Sequence, residues 1–189
     1  GHPLNELSSF GTGGRADMLI EVFDITGLEE AIELASKKNE QWSILGGGSN
    51  IIISDDGVKE PIIQFRCENL VQRLDSERVI ANSGCDWDAF VAWTVRNNLA
   101  GVTCLSGIPG RVGAAPIQNI GAYGESAADT IEWVEVYQPE NGAVTQLDHG
   151  SCQFGYRDSI FKSGVGRQWV VMRVCFRLKA ADKCPVKYG

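Results

Sequence analysis

Residues 106–124 constrain this chain more than any other segment. The run Ser106-Gly107-Ile108-Pro109-Gly110-Arg111-Val112-Gly113-Ala114-Ala115-Pro116-Ile117-Gln118-Asn119-Ile120-Gly121-Ala122-Tyr123-Gly124 holds five glycines, three alanines and two prolines in nineteen residues. Glycine and proline at this density punctuate helices and strands, so the segment reads as a long Gly-rich loop. Two uses remain open. Small residues let a flat ring system lie against backbone, with the amides of Gln118 and Asn119 meeting heteroatoms on the ring. The plainer use is a tightly packed loop with no ligand, which composition alone slightly favours.

The remainder must supply the core around that loop. The length of 189 residues suits one large domain or two small lobes. A hydrophobic fraction of 43% with 22% charged residues builds an ordinary core and excludes a disordered chain. The net charge of −7 argues against a nucleic-acid surface, although a local pocket for a small anion can oppose the global charge. No apolar run approaches the ~20 residues of a membrane span. The start, Gly1-His2-Pro3-Leu4-Asn5-Glu6, has neither a basic nor an apolar leader region, so no signal peptide is expected. Cys67, Cys85, Cys104, Cys152, Cys175 and Cys184 form no C-x-x-C pair. That argues against a metal site and for reduced, mostly buried thiols in a cytoplasmic protein.

Periodicity predicts a first lobe of order β-α-β-β-β over residues 1–66. Its strands fall at residues 18–23, 42–45, 51–53 and 62–65. Its helix is capped by a Thr26/Glu29 box, faces inward through Leu28, Ala31, Ile32 and Ala35, and carries Lys37 and Lys38 in its last turn. A second lobe over residues 67–189 opens with a strand at 78–81. A helix follows, capped by Asp86, with a face of Trp87, Phe90, Val91, Thr94 and Val95. Strands at 131–137 and 144–147 flank the turn Pro139-Glu140-Asn141-Gly142, and a last strand runs over 169–178. The chain reaches Tyr188-Gly189 without an obvious closing element.

Three shorter motifs bear on chemistry. Gly11-Thr12-Gly13-Gly14-Arg15-Ala16 satisfies G-x-G-x-x-A, but a dinucleotide fingerprint needs a strand before it and a helix after it. Here an apolar strand follows, so a turn is the better reading. No P-loop pattern is present. Gly46-Gly47-Gly48-Ser49-Asn50 follows a strand rather than preceding a helix. Three glycines let backbone approach a bulky anion and form an N–H nest, with Ser49 and Asn50 adding donors; a plain glycine hairpin is the alternative. In Phe154-Gly155-Tyr156-Arg157-Asp158-Ser159-Ile160-Phe161, Arg157 is either a buried cation that stabilises a developing oxyanion or half of an Arg157–Asp158 surface pair.

Taken in order and spacing, Leu45 to Asn50, Ile108 to Gly124 and Phe154 to Phe161 resemble the UDP-N-acetylenolpyruvylglucosamine reductases of peptidoglycan synthesis. Ser9-Phe10-Gly11 and Gly14-Arg15-Ala16-Asp17 extend the resemblance over nearly the whole chain. The run from Pro116 to Gly124 is its most specific part. The glycine turn alone is shared with the broader vanillyl-alcohol-oxidase-like flavoproteins. The resemblance implies an α+β, two-lobed FAD-binding domain of the vanillyl-alcohol-oxidase / p-cresol-methylhydroxylase type. It implies non-covalent FAD, NADPH as reductant, a UDP-sugar substrate and a monomer.

By the same resemblance, Gly46, Gly47, Gly48, Ser49 and Asn50 hold the FAD pyrophosphate. Ile108, Pro109, Gly110, Gly113, Ala114, Ala115, Ile117, Gln118, Asn119, Gly121 and Tyr123 border the flavin, and Val171 lies near the adenine. Arg157 stabilises the enolate carboxylate, a task that suits a permanently charged, bidentate guanidinium, and Tyr156 supports it. The family continues for a further substrate-binding domain that carries the proton donor, so this segment reads as the flavin-binding part, inactive alone. The alternatives are a stand-alone flavin-binding module and a fragment of a related FAD-dependent oxidase. His2 and His149 occupy no recognised covalent-flavin position, which weakens the oxidase reading.

Overall fold

A computed structural model describes residues 1–37, 41–68 and 70–180. They form two compact units, Gly1–Glu68 and Asn69–Gly189. Lys38, Cys184 and the chain end, for which the sequence raised expectations, lie outside the described residues.

The first unit opens with a two-residue antiparallel ribbon, β1 (His2–Pro3) with β2 (Arg15–Ala16). It continues through β3 (Leu19–Val22), α1 (Ile25–Lys37), β4 (Ser43–Ile44) and β5 (Ile62–Phe65). The sheet is parallel, with β5 between β3 and β4. Parallel neighbours require crossovers, and α1 supplies one of them. Its Leu28, Ala31, Ile32 and Ala35 are buried, as 3.6-residue spacing predicts.

Two expectations for this unit are corrected. The helix is capped by Asp24, not by a Thr26/Glu29 box. Asp24 Oδ1 accepts from Gly27 N at 2.8 Å and its carbonyl accepts from Leu28 N at 3.1 Å, which leaves Thr26 inside the first turn. The isoleucine run 51–53 is not a strand. Ile52 is 82% exposed, while Ile53 turns into a small core with Leu4, Ala16, Leu45 and Ile62. β-Branched propensity gives way here to packing, with Ile53 drawn into that core.

The second unit contains β6 (Val71–Arg73), β7 (Arg78–Asn82), α2 (Trp87–Arg96), β8 (Leu99–Ala100), β9 (Gly121–Ala122), β10 (Glu125–Ser126), β11 (Ile131–Gln138), β12 (Ala143–Asp148), β13 (Val170–Arg177) and β14 (Lys179–Ala180). Its main sheet is antiparallel, in the order β12-β11-β13-β7-β6. β9 pairs with β10 and β8 with β14. Asp86 caps α2 by accepting from Ala89 N at 3.0 Å. Trp87, Phe90, Val91 and Thr94 are buried, but Val95 is 43% exposed and off the inner face, at the rim of the helical stripe.

Trp87, Phe90 and Phe176 cluster with ring centroids 4.7–6.0 Å apart, and Trp87 Nε1 donates to Leu105 O at 2.9 Å. Each such fully buried large side chain stabilises by about 1.5–3 kcal/mol. Val112, Ala115 and Ile120 of the Gly-rich loop belong to the same core. The loop is therefore anchored by its own apolar residues.

Candidate functional site

The glycine turn of the first unit follows the carboxyl end of β4. In open parallel sheets, ligands bind outside the carboxyl ends of the strands. Gly46 and Gly47 are exposed, and a Cβ added at Gly46 would meet no atom within 4 Å. Gly48 is different. It is buried at φ +64°, and an added Cβ would lie 1.8 Å from Leu7 O. Its carbonyl accepts from Ser9 N at 3.0 Å. One glycine thus fixes the turn to the N-terminal segment, while two leave backbone open above it.

Gln64, buried on central β5, donates through Nε2 to Gly46 O at 3.4 Å. Its Oε1 accepts from Arg66 Nε at 3.0 Å, and Arg66 pairs with Glu21 at 2.9 Å. Sequence reasoning passed over Gln64. The available signal was one amide inside the apolar strand Ile62–Phe65.

In the second unit the Gly-rich loop is tied down along its length. Gly107 N and Ser106 Oγ both donate to Asp88 Oδ1 at 2.7 Å. The Ser106 hydroxyl first, then the Gly107 amide, holds the Asp88 carboxyl below its ordinary range. Ile108 is half-buried and Pro109 exposed, and Gly110 O accepts from Trp87 N at 3.0 Å. Val112 N and Gly113 N donate to Cys85 O and Ser83 O, each at 2.9 Å. A Cβ on Gly113 would fall 2.5 Å from Ser83 Cβ. Gly113 and Ala115 are buried, whereas Ala114, Ile117, Gln118, Asn119 and Gly121 are half-buried. Val171 is buried in β13 opposite Val136.

The loop ends in a hairpin, Ala122 to Glu125, with Tyr123 at φ +52° and Gly124 at φ +81°. Two successive positive φ values are the signature of a type I′ turn. They present the Tyr123 ring to solvent at 77% exposure.

Arg157 is exposed, not a buried cation, because its segment doubles back at the surface. Gly155 N donates to Asp158 O at 2.9 Å and Asp158 N to Gly155 O at 3.3 Å. Arg157 stands third in that turn at φ +54°. A side chain in the left-handed region costs roughly 1–2 kcal/mol. Its Nη2 donates to Gly121 O at 2.7 Å, so its bond runs to the Gly-rich loop and not to Asp158. Tyr156 is 95% exposed beside it. Ser159, which sequence reasoning did not single out, is 2% exposed and donates to Ile117 O at 2.6 Å.

Among the described residues no cluster of His, Cys, Asp and Glu could hold a metal ion. None of their helices is long and apolar enough to cross a membrane.

Comparison with known proteins gives a consistent set of likenesses. The family described as FAD binding domain matches residues 16–148. The UDP-N-acetylenolpyruvoylglucosamine reductase of Pseudomonas aeruginosa is 36% identical over 98% of this chain and 55% of that protein. The protein of that name from Salinispora arenicola is 38% identical over 98% of the chain and 52% of its own length. The chain thus spans about half the length of these curated relatives. The crystal structure of UDP-N-acetylenolpyruvylglucosamine reductase from Thermus caldophilus superposes with a TM-score of 0.78, at 29% identity, over 94% of this chain and 61% of that one. The fold alone is shared with 6-hydroxy-D-nicotine oxidase from Arthrobacter nicotinovorans, at 20% identity, TM-score 0.65, over 88% of this chain and 37% of that one.

Proposed function

We propose a function from one premise: this chain belongs to the family of FAD-binding domains. On that premise it is the FAD-binding part of a reductase that converts UDP-N-acetylenolpyruvylglucosamine to UDP-N-acetylmuramate with NADPH. The observation that carries the reading is an arginine held at positive φ and bonded to the Gly-rich loop of its own unit. Strain of this kind persists where the surroundings over-determine it, and it concentrates at ligand sites.

The open space at Gly46, beside the exposed Gly47, has room for a pyrophosphate that a side chain there would displace. Gly48, Ser49 and Asn50 complete the turn. Ile108, Pro109, Gly110, Gly113, Ala114, Ala115, Ile117, Gln118, Asn119, Gly121 and Tyr123 form the wall offered to the flavin, and Val171 backs the adenine. Bound there, FAD would supply the hydride chemistry that links NADPH to the substrate's vinyl carbon.

Arg157 binds the substrate carboxylate and stabilises the charge that grows on it as hydride arrives. Gly121 O takes one of its five donors, which leaves the fork able to bind a carboxylate. The exposed ring of Tyr156 flanks the same substrate group. Proton return belongs to a group of the further substrate-binding domain. The protein acts as a monomer in the cytoplasm, and this segment alone gives no product. The deciding experiment mixes the purified chain with FAD, NADPH and UDP-N-acetylenolpyruvylglucosamine. Bound flavin without UDP-N-acetylmuramate supports the reading. Product formed by this chain alone, or no flavin bound, contradicts it.

A further inference from the structure

Three hydrogen bonds join the Gly-rich loop to the turn that carries Arg157. Ser159 Oγ donates to Ile117 O at 2.6 Å, Asn119 Nδ2 to Gly155 O at 2.9 Å, and Arg157 Nη2 to Gly121 O at 2.7 Å. Alternate residues 117, 119 and 121 thus hold 159, 155 and 157. The middle rung differs from its neighbours, because Asn119 also accepts from Ala128 N through Oδ1 at 3.0 Å. Its amide bridges a 3₁₀ turn at Ala127–Asp129 to the first residue of the Arg157 turn. Asn119 itself stands at φ +44°, a conformation that asparagine tolerates better than most residues.

We propose that Asn119 is the positioning residue for Arg157, an inference that rests on the functional reading above. The bridge needs one donor and one acceptor on a short side chain at positive φ, and an asparagine amide offers both. The Gly155–Asp158 turn has only two backbone bonds of its own, at 2.9 and 3.3 Å, against the strain at Arg157. Asn119 fixes the carbonyl at the start of that turn, so the guanidinium keeps its register with Gly121. The loop offered to the flavin and the arginine offered to the substrate then move as one piece.

Asn119→Asp removes the donor alone and keeps the bond to Ala128 N. Asn119→Gly removes both bonds while tolerating the backbone conformation. The direct readout is tryptic cleavage of the Arg157–Asp158 bond in this chain, followed by mass spectrometry. Both variants are expected to cut there roughly five- to tenfold faster, the effect of one lost hydrogen bond, with other sites unchanged. In the catalytically complete enzyme, Asn119→Asp should lower kcat for the enolpyruvyl sugar by a larger factor than it lowers the rate of flavin reduction by NADPH, because only the sugar half-reaction uses Arg157.

Unchanged cleavage at Arg157 in both variants overturns the proposal. So does a uniform rise at every lysine and arginine bond in both, which makes Asn119 a general structural residue. Loss of FAD with unchanged cleavage confines Asn119 to the flavin wall and likewise overturns the proposal. A parent chain that fails to bind FAD refutes the functional reading, while the cleavage result still decides the role of Asn119.

Discussion

The two glycine-rich regions use the same residue for opposite purposes. At Gly46 the missing side chain leaves open space, and nothing in the protein comes within 4 Å of an added Cβ. At Gly113 the missing side chain is filled by the protein itself, with Ser83 Cβ at 2.5 Å from that position. Gly48, two residues from Gly46, behaves like Gly113, since Leu7 O occupies its space at 1.8 Å. A glycine whose Cβ volume is empty is available to a ligand. One whose volume is taken serves close packing of the chain on itself. Composition cannot separate these cases, because each is written as a glycine in a Gly-rich run.

The comparison can be broken by substitution, and the largest effect is expected at Gly48. Gly48→Ala adds a backbone clash to a positive φ and should cost about 3 kcal/mol or more, read as a lowered thermal midpoint. Gly113→Ala forces Ser83 aside and should cost about 1–3 kcal/mol. If either variant melts with the parent, the distinction between filled and open glycines fails. Gly47→Val should behave in the opposite way, keeping the melting transition and losing flavin. A Gly47→Val protein that holds FAD as firmly as the parent removes the pyrophosphate assignment.

Arg157→Ala tests the second region's functional edge. In the complete enzyme it should lower substrate turnover by ~10²–10³, as expected for a preorganised charge. Reduction of the flavin by NADPH should change much less. Equal losses in both half-reactions would make Arg157 structural.

The smallest effect comes from the buried thiols. Burial, reinforced by the Asp148 carboxylate, pushes Cys152 up to about 12. Burial, followed by the Glu132 carboxylate, pushes Cys175 up to about 11. Both folded values exceed the ordinary 9.0, so the unfolded chain releases these protons first as pH rises. The stability they contribute is complete below that ordinary value and declines from there upward through the folded values. Melting points taken at mildly and strongly alkaline pH should fall more steeply for the parent than for a Cys152→Ala, Cys175→Ala double variant. Parallel slopes would contradict this account.

Much of the fold was legible from periodicity. The buried faces of α1 and most of α2, the Asp86 cap, and the strands later found as β5, β11 and β12 follow from spacing that packing reinforces. The errors arose where local preference met a tertiary competitor. The isoleucine run 51–53 has strand composition, but Ile53 packs into the small core with Leu4, Ala16, Leu45 and Ile62 while Ile52 stays exposed. Val95 fits the helical spacing but sits at the rim of the stripe. The short strands β6, β8 and β14 were missed because two- or three-residue pairings leave no period to read.

The site motifs were visible as compositions, yet their internal ties were not. The bonds from Ser159, Asn119 and Arg157 to the other segment join residues 36–42 positions apart in sequence. Arg157 has apolar neighbours in sequence but stands at the surface, since positive φ in a tight turn sends its side chain outward to Gly121.

The central claim is that these residues hold FAD without a covalent bond, and titration of the purified chain with FAD tests it most directly. The account predicts saturable quenching of flavin fluorescence with a shift in the visible flavin band. It also predicts full recovery of free FAD in the supernatant after the protein is denatured. No saturable change at any FAD concentration, or flavin that stays with the denatured protein, would contradict it.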